Sequence, residues 1–155
     1  MSELTLSKPR ILPPKGLLIA VASQLPLVLA GFPLRPSTLD ITAGAVLIVT
    51  GVFLNVWADR LFRRNGVGVR PFTAVPVLVG GGPYRITRNP MYLGIVCVNL
   101  GVTFFTGVLA NVWSSLALLI WLHFAFVLPE EIFLTQKLTG TYHEYTKRVP
   151  RWLVR

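Results

Sequence analysis

Four long apolar segments, separated by shorter polar ones, set the pattern of this chain. They cover residues 16–32, about 38–61, 91–109 and 111–128, and charges occur in them only near the ends of the second. A helix rises 1.5 Å per residue, so each run is long enough, or nearly so, to cross a hydrocarbon core of about 30 Å. The pattern predicts an all-α integral membrane protein with about four transmembrane helices.

Individual residues within this pattern predict breaks, caps and contacts. Pro26 lies inside the first run and is expected to kink its helix. Thr38 or Asp40 can cap the second helix. The lone Asn55 is expected to form an interhelical hydrogen bond, which we favour over a ligand contact. The very short connection before residue 111 predicts that the last two runs form a helical hairpin.

Composition supports the bilayer and excludes an ordinary soluble domain. The chain has 155 residues, of which 53% are apolar and only 14% charged, and its mean hydropathy is +0.63. This length suits one domain. The net charge is +9, but the basic residues lie in short segments between apolar runs. That distribution favours anionic lipid headgroups over nucleic acid as the partner.

The positions of the basic residues predict an orientation. Three Lys or Arg residues precede the first run, one follows it, six lie from Arg60 at the end of the second run to the start of the third, none lies between the third and fourth, and five follow the fourth. Cytoplasmic loops of membrane proteins carry an excess of such residues. We therefore expect a multi-pass protein with both termini and the central loop in the cytoplasm.

A polar segment at residues 82–94 stands out between the second and third runs. It holds two arginines, an asparagine, a threonine and two tyrosines in thirteen residues. Pro83 and Pro90 stiffen it, and Pro90 suits the first turn of the next helix, with Asn89 as its N-cap. Such a cationic loop at a helix N-terminus suits a carboxylate or phosphate. A basic loop that only sets topology is the simpler alternative.

A second polar cluster follows the fourth run. Glu130 and Glu131 are adjacent at its end, and carboxylates there are costly unless paired or solvated. The simpler alternative is that Pro129 begins a new helix with two glutamates beside its positive end. His123 would lie two turns before Glu130 on the same face if the helix continues, in either a functional or a packing role. The topology brings both clusters to one side of the membrane, which suits a zwitterionic ligand.

Together, the two clusters resemble a known superfamily. The motif comprises residues 82–94, then Glu130-Glu131, Leu134, Gly140, Tyr142, Tyr145 and Arg148-Val149-Pro150-Arg151. It resembles the isoprenylcysteine carboxyl methyltransferases and phospholipid methyltransferases, which are integral-membrane enzymes that use S-adenosylmethionine. The resemblance covers roughly residues 60–155. It implies a single domain over 1–155, with a tail and two spans in 1–59, a catalytic core in 60–155, and a cytoplasmic cofactor pocket.

One position departs from the family pattern. The family often has Arg-His-Pro where this chain has Arg88-Asn89-Pro90. Asparagine donates and accepts hydrogen bonds but does not titrate near neutral pH. An acid or base role at residue 89 is therefore in doubt, whereas a cofactor contact is not.

The resemblance also implies roles for individual residues. Arg88, Glu131 and Arg151 are the expected catalytic residues: the arginines would orient a carboxylate acceptor, while Glu131 or His123 would take a proton from an amine or thiol. The expected residues of the cofactor pocket are Tyr84, Arg88, Asn89, Tyr92, Leu93, Gly94, His123, Glu130, Glu131, Tyr142 and Tyr145. No metal site is expected.

The acceptor is expected to be a lipophilic small molecule that enters sideways between the helices, because its tail prefers hydrocarbon to water. The residues do not identify this acceptor, and they leave the oligomeric state open. The alternative functions are a non-catalytic membrane transporter or binding protein, with Asn55, Asn99 and His123 as its polar groups near the midplane, and an accessory protein with the same fold.

Overall fold

The computed structural model describes residues 11–30, 36–66 and 78–154, and all regular structure within these ranges is helical. The α-helices there are α1 (Pro13–Ala22), α2 (Leu25–Leu29), α3 (Thr38–Arg64), α4 (Pro90–Thr106), α5 (Val112–Leu122), α6 (Leu128–Lys137) and α7 (Thr139–Arg148). Gly82–Arg85 and Leu109–Asn111 form 3-10 turns, and His123–Val127 forms a π-helix. The predicted end of the first run lies outside the described residues, as do the basic residues Lys8, Arg10, Arg35, Arg70 and Arg155.

Proline and capping residues determine where the first helices end and begin. α1 ends at Ala22. Continuing the helix would require a hydrogen bond from the N–H of residue 26 to the Ala22 carbonyl, and Pro26 has no N–H, so the kink expected at Pro26 occurs as a break between α1 and α2. α3 begins after Ser37, not after Thr38 or Asp40 as predicted. The Ser37 hydroxyl accepts from the Asp40 N–H at 3.1 Å, and Asp40 accepts in return from the Ser37 N–H at 2.8 Å. This reciprocal pair is a capping box.

Glycines bring α3 and α4 into close contact. A Cβ on Gly51 would lie 2.5 Å from the Gly94 carbonyl oxygen, and one on Gly101 would lie 2.8 Å from that of Gly44. Such small residues let membrane helices approach closely. Asn55 donates to the carbonyl of Gly51 in its own helix at 2.9 Å, so the expectation of an interhelical hydrogen bond is wrong.

Two helical segments of the described chain are long and apolar enough to cross a membrane. They are α3, with 27 residues, and the continuous helical run Leu109–Lys137, with 29. Pro13–Leu29 and Pro90–Thr106 are apolar but shorter, so a count of four spans stays a prediction. α4 and α5 pack against each other across the turn after Gly107, which has a φ of +67°, and so form the predicted hairpin. The suggested division of the chain at residue 59 falls inside α3 and stays a prediction.

The run Leu109–Lys137 stays helical through Pro129 because a π-helix precedes that proline. Pro129 has no N–H to bond the carbonyl four residues earlier, in Ala125, and Ala125 lies in the π-helix His123–Val127. The alternative in which Pro129 starts a separate helix is therefore wrong. A π turn adds one residue to the helical turn, which changes the face that each later side chain occupies.

Beyond α6 the chain turns back through α7 towards the segment that precedes α4. Leu134 and Leu138 pack on a cluster of Tyr142, Tyr145 and Val149, which holds α7 against α6. Residues 149–152 then lie along residues 87–89, as the backbone hydrogen bond from the Arg88 N–H to the Pro150 carbonyl shows, at 2.9 Å. The fold therefore brings the two polar clusters of the sequence together.

Candidate functional site

Two arginines converge on one carboxylate at the centre of the candidate site. Arg88 Nη1 lies 3.0 Å from Glu131 Oε1, and Arg151 Nη2 lies 2.7 Å from Glu131 Oε2. Arg151 also donates through Nε, at 3.1 Å to each carboxylate oxygen. The side chains of Arg88 and Glu131 are 14% and 13% exposed, and that of Arg151 is 38% exposed. The structure thus brings together the three residues expected to be catalytic.

The carbonyl of Arg151 ties the loop before α4 to the C-terminal segment. It accepts from Thr87 Oγ1 and from Asn89 Nδ2, both at 3.0 Å. Asn89 is the residue before α4, as predicted, but its side chain does not cap the helix amides. Sequence reasoning missed Thr87, which is 1% exposed. The only local signal was its position two residues before Asn89, the residue that precedes α4, because a threonine hydroxyl there can accept from the Asn89 N–H, as Thr87 does at 3.2 Å.

The neighbouring carboxylate, Glu130, has a different environment. It accepts from the Tyr92 hydroxyl at 3.0 Å, and this contact joins α6 to α4. Among the described residues Glu130 forms no salt bridge. One of the two adjacent carboxylates therefore pairs with two guanidiniums, whereas the other, within the described part of the chain, pairs only with a phenol.

Two buried tyrosines of α7 support the cationic loop. The Tyr145 hydroxyl donates to the Tyr84 carbonyl at 2.7 Å. Burial raises the pKa of Tyr142 to about 12; the charge of Glu131 adds to this rise, and a hydrogen bond with Arg88 opposes it. Burial also raises the pKa of Tyr145. Both phenols are therefore protonated at neutral pH, and Tyr145 acts through the backbone of the loop.

The π-helix turns His123 away from the face on which it was expected. Because the π turn inserts one residue, the two-turn spacing from Glu130 no longer places the two side chains in line. His123 Nδ1 instead accepts from Trp152 Nε1 at 3.4 Å. A cofactor contact of His123 stays a prediction.

The two remaining predicted pocket residues lie in the first turns of α4. The Leu93 N–H donates to the Asn89 carbonyl at 3.0 Å, and Gly94 packs against Gly51 and Asn55 of α3. The close packing of α4 against α3 is enough to explain why residue 94 is a glycine. Their roles towards a cofactor stay predictions.

A groove of about 340 Å³ lies along the outer side of α6 beside the ion pairs. Its lining consists of Leu128, Glu131, Ile132, Thr135, Gln136 and Arg151. The groove shares Glu131 and Arg151 with the charged site and adds an apolar wall and two neutral polar side chains. Sequence reasoning singled out Glu131 and Arg151 but not the other four lining residues, because these look like an ordinary exposed helix face.

Comparison with known proteins now identifies the family. The model of the phospholipid methyltransferase family matches residues 39–140. The chain belongs to this family. The family lies within the superfamily of integral-membrane methyltransferases that the motifs resemble, so the resemblance is confirmed and the protein is a membrane methyltransferase by family. The match includes Arg88, Glu130 and Glu131 but ends before Arg151. No curated protein and no solved structure matched the chain.

Proposed function

We propose that the protein is an S-adenosylmethionine-dependent methyltransferase that acts on a lipophilic acceptor at the cytoplasmic face of a membrane. The observation that carries this proposal is the unequal pairing of the two adjacent carboxylates. Glu131 contacts two guanidiniums, whereas Glu130 contacts only a phenol among the described residues. A partly buried carboxylate without a cation is costly. A cationic ligand is the chemistry that complements it.

The residues present fit such a cofactor. Glu130 would pair with a cationic group of the ligand, and Tyr92 holds Glu130 in place through their 3.0 Å hydrogen bond. When bound, S-adenosylmethionine supplies a methyl group that its sulfonium already activates. The chain's own contribution is to align the acceptor and to exclude water.

The acceptor determines whether the protein must also provide a base. A carboxylate acceptor needs none, and Arg88 or Arg151 would orient it by paired hydrogen bonds. An amine or thiol acceptor must lose a proton. Glu131 is a weak candidate for that base because both of its carboxylate oxygens already accept hydrogen bonds or ion pairs from Arg88 and Arg151. His123 would first have to release the Trp152 N–H from its Nδ1.

Calorimetric titration with S-adenosylhomocysteine tests the proposal directly. The purified protein in detergent is expected to bind it saturably, and Glu130→Gln is expected to weaken binding. Incubation of the protein with labelled S-adenosylmethionine and a membrane lipid extract should then yield a labelled lipid. If the folded protein shows no S-adenosylhomocysteine binding and no labelled product, but moves a solute into vesicles, the transporter alternative is correct.

The proposed orientation places both termini in the cytoplasm, with Pro13–Leu29 and Pro90–Thr106 as the two further spans. Support comes from the basic residues, which gather before the first apolar run, from the end of α3 to the start of α4, and from the end of α6 onwards. Single cysteines introduced at Ser2 and Val154 in a Cys97→Ala background should react with an impermeant maleimide only after the membrane is opened. A cysteine at Leu109 should react in intact cells, and the reverse result would invert the topology.

A further inference from the structure

We propose that a buried water molecule binds between Asn111 and Ser115, beside the break between α1 and α2. The water donates a hydrogen bond to Asn111 Oδ1 and accepts one from the Ser115 hydroxyl. Arg88 lies just before the first residue of α4, whereas Asn111 follows the turn at its other end. The water site is therefore separate from the charged residues, and it goes beyond the proposed function without depending on it.

Asn111 carries the acceptor that calls for this ligand. The residue is 0% exposed, and its Oδ1 has no hydrogen-bond partner among the described residues. Its Nδ2 donates to the Gln24 carbonyl at 3.4 Å, so exchanging the two amide atoms would only set two acceptors against each other. The side chain does not cap α5 either. Buried polar groups are almost always hydrogen-bonded, so Oδ1 requires a donor that these residues do not supply.

Ser115 supplies the second contact of the water. It lies four residues after Asn111, so the two side chains are on one face of the helix, about 5–6 Å apart at Cβ. Two hydrogen bonds of about 2.8 Å through one water span such a separation. The Ser115 hydroxyl accepts from Asn99 Nδ2 at 2.9 Å, and it donates to no acceptor in the described part of the chain. A spare donor therefore lies one turn from the unpaired acceptor.

The neighbouring Ser114 has no such spare donor. Its hydroxyl accepts from Asn99 Nδ2 at 3.0 Å and donates to the Asn111 backbone carbonyl at 2.8 Å. The two serines therefore accept from the same amide and differ in whether their own proton is used. This difference assigns the water to Ser115 and makes Ser114 the matched control.

The break between α1 and α2 explains why a polar ligand is found so deep in the protein. Ser23 and Gln24 separate the two helices, and Asn111 reaches the Gln24 carbonyl from the start of α5. Backbone that leaves a regular helix within a membrane must bond to protein or to enclosed water, because hydrocarbon offers no hydrogen bonds. Asn111 and Ser115 are 0% and 3% exposed, so the ligand is enclosed. Water is the smallest molecule that both donates and accepts, and buried waters make about 2–4 hydrogen bonds.

Water ¹⁷O relaxation dispersion on the purified protein in detergent tests the proposal, because it counts long-lived buried waters. We expect Ser115→Ala to lose one such water relative to the unchanged chain, since the water loses its donor and exchanges faster. Ser114→Ala also removes an acceptor from Asn99 but keeps the Ser115 proton, so its count should stay unchanged. Equal counts in Ser115→Ala and the unchanged chain, or equal losses in the two variants, would overturn the inference.

A second pair of variants removes the acceptor. Asn111→Leu places apolar atoms in the site and should lose the same water, whereas Asn55→Leu, which removes only a bond within α3, should not. Circular dichroism shows whether each variant is folded, and the Ser115→Ala measurement decides the outcome if Asn111→Leu is not. A water count in folded Asn111→Leu equal to that of the unchanged chain would contradict the proposal.

A crystal structure at atomic resolution locates the water directly. We expect density within hydrogen-bond distance of both Asn111 Oδ1 and Ser115 Oγ. A protein donor on Oδ1, or apolar contacts there without density, would refute the site. Neither measurement involves a cofactor, so a failure of S-adenosylhomocysteine binding would count against the proposed function and leave the water site standing.

Discussion

The protein buries two polar regions whose chemistry differs. One is the charged site around Arg88, Glu130, Glu131 and Arg151. The other is a neutral network of amides and hydroxyls that joins the break between α1 and α2 to α4 and α5. Its members are 0–3% exposed and comprise Gln24, Asn99, Thr103, Asn111, Ser114 and Ser115. The charges of the charged site are paired unevenly, with both arginines on Glu131, whereas the neutral network has no charges to pair.

The neutral network satisfies its groups internally except for Asn111 Oδ1, which has no hydrogen-bond partner among the described residues. Gln24 Nε2 donates to Asn99 Oδ1 at 3.1 Å, and Asn99 Nδ2 donates to the hydroxyls of Ser114 and Ser115 at 3.0 and 2.9 Å. Thr103 Oγ1 donates to Gln24 Oε1 at 3.3 Å. Asn99 is thus committed to helix contacts, which argues against its proposed role in a transporter. Neutral groups that mostly bond one another indicate a structural role, whereas unevenly paired charges indicate a ligand.

The largest loss of stability is expected from Glu131→Gln. This change leaves two guanidiniums facing each other without a carboxylate, and breaking such a buried pair costs about 3–5 kcal/mol. Thermal unfolding in detergent should show this loss, together with loss of methyl transfer. Glu144→Gln is the control: its ion pair with Lys147 is 62% and 57% exposed, so stability should change by less than about 0.5 kcal/mol. Equal effects of the two changes would contradict the comparison.

The second largest loss of stability is expected from Asn99→Leu. The change removes the bonds that satisfy Gln24, Ser114 and Ser115, and unsatisfied buried groups cost about 1–3 kcal/mol each. Unfolding should therefore occur at lower temperature, while the affinity of the folded protein for S-adenosylhomocysteine stays unchanged. Asn55→Leu is the control, because it removes only a bond within α3. A large loss of affinity in Asn99→Leu would assign the neutral network to function.

The third prediction concerns Glu130→Gln, which should affect binding more than folding. Glutamine keeps a hydrogen bond to Tyr92 but removes the charge, so we expect affinity for S-adenosylhomocysteine to fall by about tenfold, or ~1.4 kcal/mol. Calorimetry measures the affinity and thermal unfolding measures the stability. Unchanged affinity together with a stability loss as large as that of Glu131→Gln would show that the adjacent carboxylates share one structural role.

The smallest effect is expected from Tyr145→Phe. It removes one hydrogen bond, from the Tyr145 hydroxyl to the Tyr84 carbonyl at 2.7 Å, which is worth about 1 kcal/mol. The loop before α4 would lose one support without losing a charge, so affinity should fall less than in Glu130→Gln. Affinity measurements on the two variants in parallel decide this order. A greater loss of affinity in Tyr145→Phe would make its hydroxyl a direct ligand contact.

Local sequence signals predicted the helices and the composition of the site. Apolar runs located the helices, Pro26 located the break after α1, and the two motifs located Arg88 and Glu131, which the structure places 3.0 Å apart. These predictions succeed because hydrophobic periodicity and proline geometry act over a few residues. The same local signals predicted the wrong hydrogen-bond partners at two positions. Ser37 caps α3 in place of Thr38 or Asp40, and Asn55 bonds within its own helix instead of to another helix.

Tertiary packing alone decided which polar group meets which. Asn89 reaches the Arg151 carbonyl across 62 residues of sequence, and Gln24 reaches Asn99 across 75. No local pattern encodes such pairs, because they depend on how the helices approach each other. The π turn before Pro129 changes the helix register, so even the expected alignment of His123 with Glu130 failed. The chain's pattern therefore specifies which residues are buried, whereas the packed helices determine how their charges and hydrogen bonds are shared.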